Sequence, residues 1–155
     1  KRATRIQGTT KDVAGRSFDT ILYIDVIEHI DDSKAELHRA YDLLAPGGHL
    51  LILVPAFNLL YSDFDKAIGH HRRYTKRTLN AELPKELERV RMTYHDGAGM
   101  LLSLGNKWVM RQQRPTMRQI MFWDRTIVPV SRLTDKLVFH TFGRSLISVS
   151  RKASS

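Results

Sequence analysis

Residues 18–32 read FDTILYIDVIEHIDD, and residues 43–56 read LLAPGGHLLILVPA. Phe18 to Ile24 is a short apolar run rich in β-branched and aromatic residues, the composition of a buried strand. Asp31-Asp32 then precede Ser33-Lys34-Ala35-Glu36, which has capping-box spacing. Leu37, Ala40, Tyr41 and Leu44 follow at i, i+3, i+4 and i+7, one face of a helix. Ala45-Pro46-Gly47-Gly48 should stop that helix, and His49 to Val54 is a second apolar strand closed by Pro55. Strand, helix, Gly-rich turn and strand make a βαβ unit. Near-continuous apolar strands belong to parallel sheets covered on both faces.

Working outward, Phe57 to Tyr74 is a long connection anchored by Phe57 and Tyr61, ending in Gly69-His70-His71-Arg72-Arg73-Tyr74. Thr75 is placed to cap a short helix reaching about Leu83. Arg89 to Tyr94 alternates, with Val90, Met92 and Tyr94 on one side, as a half-buried strand does. Leu101, Leu104 and Trp108 mark a helix after Gly97-Ala98-Gly99, and Ile127, Val130 and Leu137 mark another, disturbed by Pro129. Ser145 to Ser150 alternates again as a final strand. There is no internal repeat, and residues 1–155 read as one domain.

The 155 residues contain no Cys, which excludes a disulfide framework, a Cys-ligated zinc site and a Cys nucleophile. The N-terminus, Lys1 to Gln7, is short and polar, without signal-peptide character. The longest apolar run, Leu50 to Leu60, is far below the roughly 20 residues that span a bilayer. A cytoplasmic location is the expectation. The net charge is +9, and residues 76–155 carry all of it, with fifteen Lys/Arg against six Asp/Glu. That asymmetry points either to an anionic partner or to a solvated basic face.

The D-x-x-E-H of Asp25, Glu28 and His29, followed by Pro46-Gly47-Gly48, resembles the second half of a class I S-adenosylmethionine-dependent methyltransferase. The likeness continues through Phe64-Asp65, Gly69-His70 and Arg72-Arg73-Tyr74 to the closing FGRSLISVSRK, and covers essentially the whole chain. It is nearest to bacterial small-molecule methyltransferases. The resemblance implies an α/β, Rossmann-like methyltransferase fold with a partial sheet. Phe18 to Ile24, His49 to Val54, Ser145 to Ser150 and Arg89 to Tyr94 would be the family's strands 4-5-7-6, with the last strand of the chain antiparallel.

It also implies methyl transfer from S-adenosylmethionine to an O or N atom of a small molecule, an anionic or lipid-linked one included. Nucleic acid is not an expected partner. Gly8 and Thr9 would sit near the adenine and Asp25 near the methionine end, with Thr9 where the family often has Asp. Glu28 or His29 would be the base. Tyr61, His70, Arg72, Arg73 and Tyr74 would contact substrate, the Arg residues as bidentate clamps for a carboxylate or phosphate. Related E-x-x-E-H clusters hold a divalent ion, so Asp25, Glu28 and His29 form an alternative metal set, with Asp25 shorter than the family's Glu.

Each reading has a structural counterpart. Asp25 and Glu28 can simply cap a turn, and Asp63 and Asp65 can pair with Arg72 and Arg73 to pin the loop. Gly97-Ala98-Gly99 with Asp124 imitates a dinucleotide loop, but Leu102 stands where the third glycine belongs. Leu101, Leu104 and Trp108, near Lys107, Arg111 and Arg114, form either a packed helix or a membrane or substrate lid.

The family's glycine-rich cofactor loop precedes the fourth strand and is not among these residues, so the domain reads as lacking its N-terminal half. The Phe18–Ile24 edge would then be bare, inviting self-association, a separate fragment or further residues. The alternative function is a non-catalytic basic binding module derived from the same fold.

Overall fold

The computed structural model describes residues 5–109 and 117–154. Four strands form a mixed sheet: β1 (Phe18–Ile24), β2 (Leu44–Pro55), β3 (Leu87–His95) and β4 (Ser145–Lys152), in the order β1-β2-β4-β3. β1 and β2 are parallel, and β4 runs antiparallel to both its neighbours. This is the 4-5-7-6 order expected from the sequence. Between β1 and β2 lies α1 (Ser33–Leu43); α2 (Asp63–Ala67) and α3 (Lys76–Glu82) connect β2 to β3. β3 leads into α4 (Gly97–Val109). α5 (Met117–Phe122), a π-helical turn (Trp123–Ile127) and α6 (Val128–Leu137) precede β4.

The core lies on one face of the sheet. Tyr23, Leu50, Ile52, Val54 and Leu146 point into it and meet Leu37 and Ala40 of α1 and Leu79 of α3, all buried. Each such side chain contributes roughly 1.5–3 kcal/mol by leaving water. Over β1 and its neighbour β2 the opposite face is not covered by the described residues. Leu22 and Ile24 are more than half exposed there, and Leu51 and Leu53, which pair with them, are partly exposed. The expectation of a sheet covered on both faces therefore holds for one face only. β1 pairs with β2 alone among the described residues.

Three local expectations change. The helix cap is Asp32, whose Oδ1 accepts from the Ala35 amide at 3.0 Å. Ser33 and Glu36 instead face inward and bond to Glu82 and Tyr23, so the capping-box spacing serves the interior. Val90 sits at a register shift between Arg89 and Arg91 and is exposed, so the alternation of β3 breaks there. Val130 and Leu137 are exposed as well, although their spacing reads as core. Thr75 does cap α3, accepting from the Thr78 amide.

Candidate active site

β1 ends at Asp25, which adopts a left-handed backbone (φ 50°) while its amide still donates to the Leu53 carbonyl at 2.9 Å. A left-handed residue cannot continue a strand, so the chain turns into a single 3₁₀ turn, Ile27–His29. Ile27 is fully buried and pins that turn. Glu28 is thereby carried inside, with 0% exposure and, among the described residues, no hydrogen-bond partner on either carboxylate oxygen. Burial pushes its carboxyl group above the usual carboxylate range, and the nearby Asp25 charge adds to this.

The loop after β2 closes over Glu28. Ala56 and Tyr74 form an isolated bridge, with the Phe57 amide donating to the Tyr74 carbonyl and the Tyr74 amide to the Pro55 carbonyl. The His71 amide donates to the Glu28 carbonyl at 2.8 Å. These bonds bring His70 against the strand end. Its Nε2 lies 3.8 Å from Glu28 Oε1, and its ring meets that of His29 edge-on at 4.6 Å. Glu28, His29 and His70 can each present a ligand atom within 4.8 Å of the other two. Asp25 is not in that set; the structure supplies His70 in its place. His70 lies 42 positions from Glu28, a separation that no local motif reports.

The rest of the loop is tied down. Asp65 is fully buried and accepts from Arg73, from Ser62 and at the His70 Nδ1 atom. Burial alone would push the Asp65 carboxyl up, but these donors together hold it below its usual value. Arg72 donates to the Asp31 carbonyl and to Ser33. Tyr74 is buried, with its hydroxyl on Ser33 and Glu82, and its ionisation is pushed up to about 12, chiefly by burial. Tyr61 donates to the His70 carbonyl at 2.6 Å. Gly8 and Thr9 lie in an exposed turn well before β1, where Thr9 and Asp12 cap each other.

Two other features resemble sites. His95, Asp135 and His140 also converge, with one nitrogen of each ring engaged: Asp135 accepts the Asp96 and Gly97 amides, His95 Nε2 bonds Thr93, and His140 Nδ1 bonds the Tyr94 carbonyl. Gly97-Ala98-Gly99 opens α4 after β3, an edge strand, away from any parallel pair. The side chains of Lys107 and Trp108, and residues Arg111 and Arg114, lie outside the described residues.

Open α/β sheets bind ligands outside the carboxyl ends of their parallel strands. The Asp25–His29 turn and the His70–Tyr74 loop occupy that end of β1 and β2. No helix among the described residues is long and apolar enough to cross a membrane.

The pattern of a methyltransferase domain matches residues 2–104. The ubiquinone biosynthesis O-methyltransferase of Azorhizobium caulinodans is 30% identical over 117 residues, an alignment covering 66% of this chain and 45% of that protein. The chain thus spans less than half the length of that curated relative. In structure, a SAM-dependent methyltransferase from Archaeoglobus fulgidus superposes with a TM-score of 0.56 at 17% identity, covering 92% of this chain and 63% of the other. Phosphoethanolamine N-methyltransferase 2 of Haemonchus contortus, solved with S-adenosyl-L-methionine, gives 0.50 at 15% identity over 88% and 33% of the two chains.

Proposed function

The chain belongs to the methyltransferase-domain family, and on that premise we propose that the protein transfers a methyl group from S-adenosylmethionine to an oxygen or nitrogen atom of a small molecule. The observation that carries this reading is Glu28, a fully buried carboxylate without a hydrogen-bond partner among the described residues, set beside two histidines at the carboxyl end of a parallel strand. A general base for methyl transfer needs such a raised carboxyl group or a neutral imidazole within reach of the acceptor. A purely basic binding surface has no use for one, which disfavours the non-catalytic alternative.

The residues present fit one side of the cofactor. Asp25, exposed at the end of β1, offers a carboxylate to a cationic group. Bound S-adenosylmethionine supplies a methyl group on a positively charged sulfur. Glu28 or His29 takes the proton from the acceptor atom. His70 stands beside Glu28, and Asp65, itself held by Arg73, bonds His70. Arg72, Tyr74 and Tyr61 hold the loop that forms the substrate wall. Gly8 and Thr9 belong to an exposed turn tied to α1 through Thr10 and Glu36, and their contact with the adenine is an independent element of the proposal.

Calorimetric titration of this chain with S-adenosylhomocysteine tests the reading. Saturable binding is expected, weaker than about 1 μM because the glycine-rich loop is not among these residues, and weakened further at least tenfold by Asp25→Ala. No saturable binding at millimolar ligand would overturn it.

A second reading is favoured by the same cluster. Glu28, His29 and His70 fit a divalent ion, because the Nδ1 atoms of both histidines face oxygens, Gly69 O at 3.2 Å and Asp65 Oδ1 at 2.9 Å. Such partners leave Nε2 of each ring for a metal. The ion would act as a Lewis acid toward an acceptor hydroxyl. Titration with zinc or manganese should show one site that His70→Gln abolishes; unchanged binding in that variant excludes this set.

A further inference from the structure

α6 is amphipathic in the reverse sense. Its polar residues Ser131 and Asp135 are each 3% exposed, while Leu133 and Leu137 are 67% and 71% exposed. Hydrogen bonds fix this orientation. Ser131 Oγ donates to Asp96 Oδ1 at 2.6 Å, and Asp135 accepts the Asp96 and Gly97 amides, both at 2.8 Å. With Ser131 and Asp135 facing inward at i and i+4, Val130, Leu133 and Leu137 must face outward. Phe139, 85% exposed, extends that face at the end of the helix, in a left-handed turn (φ 51°) closed by the His140 amide on the Asp135 carbonyl. Met117, Met121 and Phe122 of α5 are exposed too.

An apolar stripe turned to solvent by buried polar anchors on the opposite side of its helix marks an interaction surface. Its charged residues identify what it meets. Over residues 117–139, Arg118, Arg125, Arg132 and Lys136 are exposed, against Asp124 as the exposed acid. A second copy of the chain would set these like charges against one another. A nucleic acid would answer the cations but leave the leucines and phenylalanine in water. An anionic lipid surface answers both, since such interfaces take aliphatic and aromatic side chains into the acyl boundary and cations at the headgroups. We propose that the α5–α6 arm, with Leu133, Leu137 and Phe139 as its inserting residues, docks the protein on anionic membrane surfaces. The arm lies on the membrane and does not span it. This docking is independent of the chemistry at Glu28.

Co-sedimentation of the 155-residue chain with phosphatidylcholine vesicles, with and without about 30% phosphatidylglycerol, tests it. Binding is expected on the anionic vesicles, lost on the neutral ones and weakened several-fold by high salt. The variant Leu133→Ser/Leu137→Ser/Phe139→Ser should bind at least tenfold more weakly, and Arg125→Gln/Arg132→Gln/Lys136→Gln similarly. Leu22→Ser/Ile24→Ser, on the open sheet face, should bind as the parent does. All substituted leucines, Phe139 and the cations are exposed, so circular dichroism should show unchanged folding. Equal binding to neutral vesicles overturns the proposal. So does a loss in the sheet-face variant equal to that in the arm variant. So does concentration-dependent self-association abolished by the arm substitutions in a chain that ignores vesicles.

Discussion

Arg73 holds both carboxylate oxygens of Asp65, with Nε 2.9 Å from Oδ1 and Nη2 3.0 Å from Oδ2. The pair is nearly dry, at 11% and 1% side-chain exposure. The guanidinium that sequence patterning offers to a substrate anion is therefore engaged inside the protein. Its partner also touches His70, so the pair positions an imidazole of the candidate active site.

Removing one partner of a buried pair leaves an uncompensated charge and costs about 3–5 kcal/mol. Asp65→Ala should fall in that range by urea denaturation at neutral pH. Arg73→Met with Asp65→Leu should recover much of the loss in stability, but not the His70 position, so ligand binding stays weakened. A fully stable Asp65→Ala protein would show the pair to be incidental.

Glu28 predicts the opposite sign. Its carboxyl group is raised by burial, with the Asp25 charge second among the raising influences. Between the ordinary value of 4.5 and the raised folded value, the folded state binds more protons than the unfolded one. Stability therefore falls as pH rises through that window. Glu28→Gln removes the slope and should stabilise the protein at pH 7, because the neutral amide puts no charge into that buried position. Melting curves of both proteins from pH 4 to 8 decide this; parallel curves would refute it. A stabilising substitution at a residue needed for chemistry is the expected trade-off at an active site.

Tyr23 and Glu36 behave conventionally. The Tyr23 hydroxyl donates to Glu36 Oε1 at 2.6 Å, and Arg39 and Thr10 bond the other oxygen. Burial pushes Glu36 up, but these donors bring it below its usual value. The stability it contributes is present above pH 4.5 and is lost as pH falls through the folded value. Tyr23→Phe should cost about 1.5–3 kcal/mol at pH 7, as loss of a hydrogen bond to a charged group does. The deficit should shrink as pH falls through the folded value of Glu36. Chemical denaturation at pH 7 and pH 3 measures the difference.

The strands are legible in the sequence because residues 18–24, 49–54 and 145–150 carry period-2 or apolar runs, while their order is what the methyltransferase resemblance implies; patterning does not show that β2 extends back through Pro46-Gly47-Gly48 to Leu44. What local patterning misses has one physical cause, side chains satisfied by residues distant in sequence. Glu36 has capping spacing but bonds Tyr23, and Ser33 bonds Glu82, 49 positions away. Ser131 and Asp135 look like solvent positions until Asp96 claims them, and that claim turns Val130 and Leu137 outward. The Glu28 and His29 half of the candidate site is visible as a motif. Its third member, His70, arrives through the Ala56–Tyr74 bridge.

β1 is the exposed edge of the sheet, with Leu22 at 56% and Ile24 at 53% exposure. Its outward backbone groups have no strand partner among the described residues. Neither Lys nor Pro interrupts Phe18 to Ile24, although such residues are how exposed edges resist pairing. The apolar face beside it is open as well, so a strand paired there would also cover the near sides of Leu22 and Ile24 through cross-strand contacts. The 155-residue chain in isolation is therefore expected to associate through β1, with its weight-average mass rising with concentration in sedimentation equilibrium. Leu22→Lys places a charge on that surface and should return the chain to a monomer while leaving its circular dichroism unchanged, since position 22 is already wet. A parent chain that stays monomeric at 100 μM, about a hundred times a micromolar dissociation constant, would show that water alone satisfies this edge.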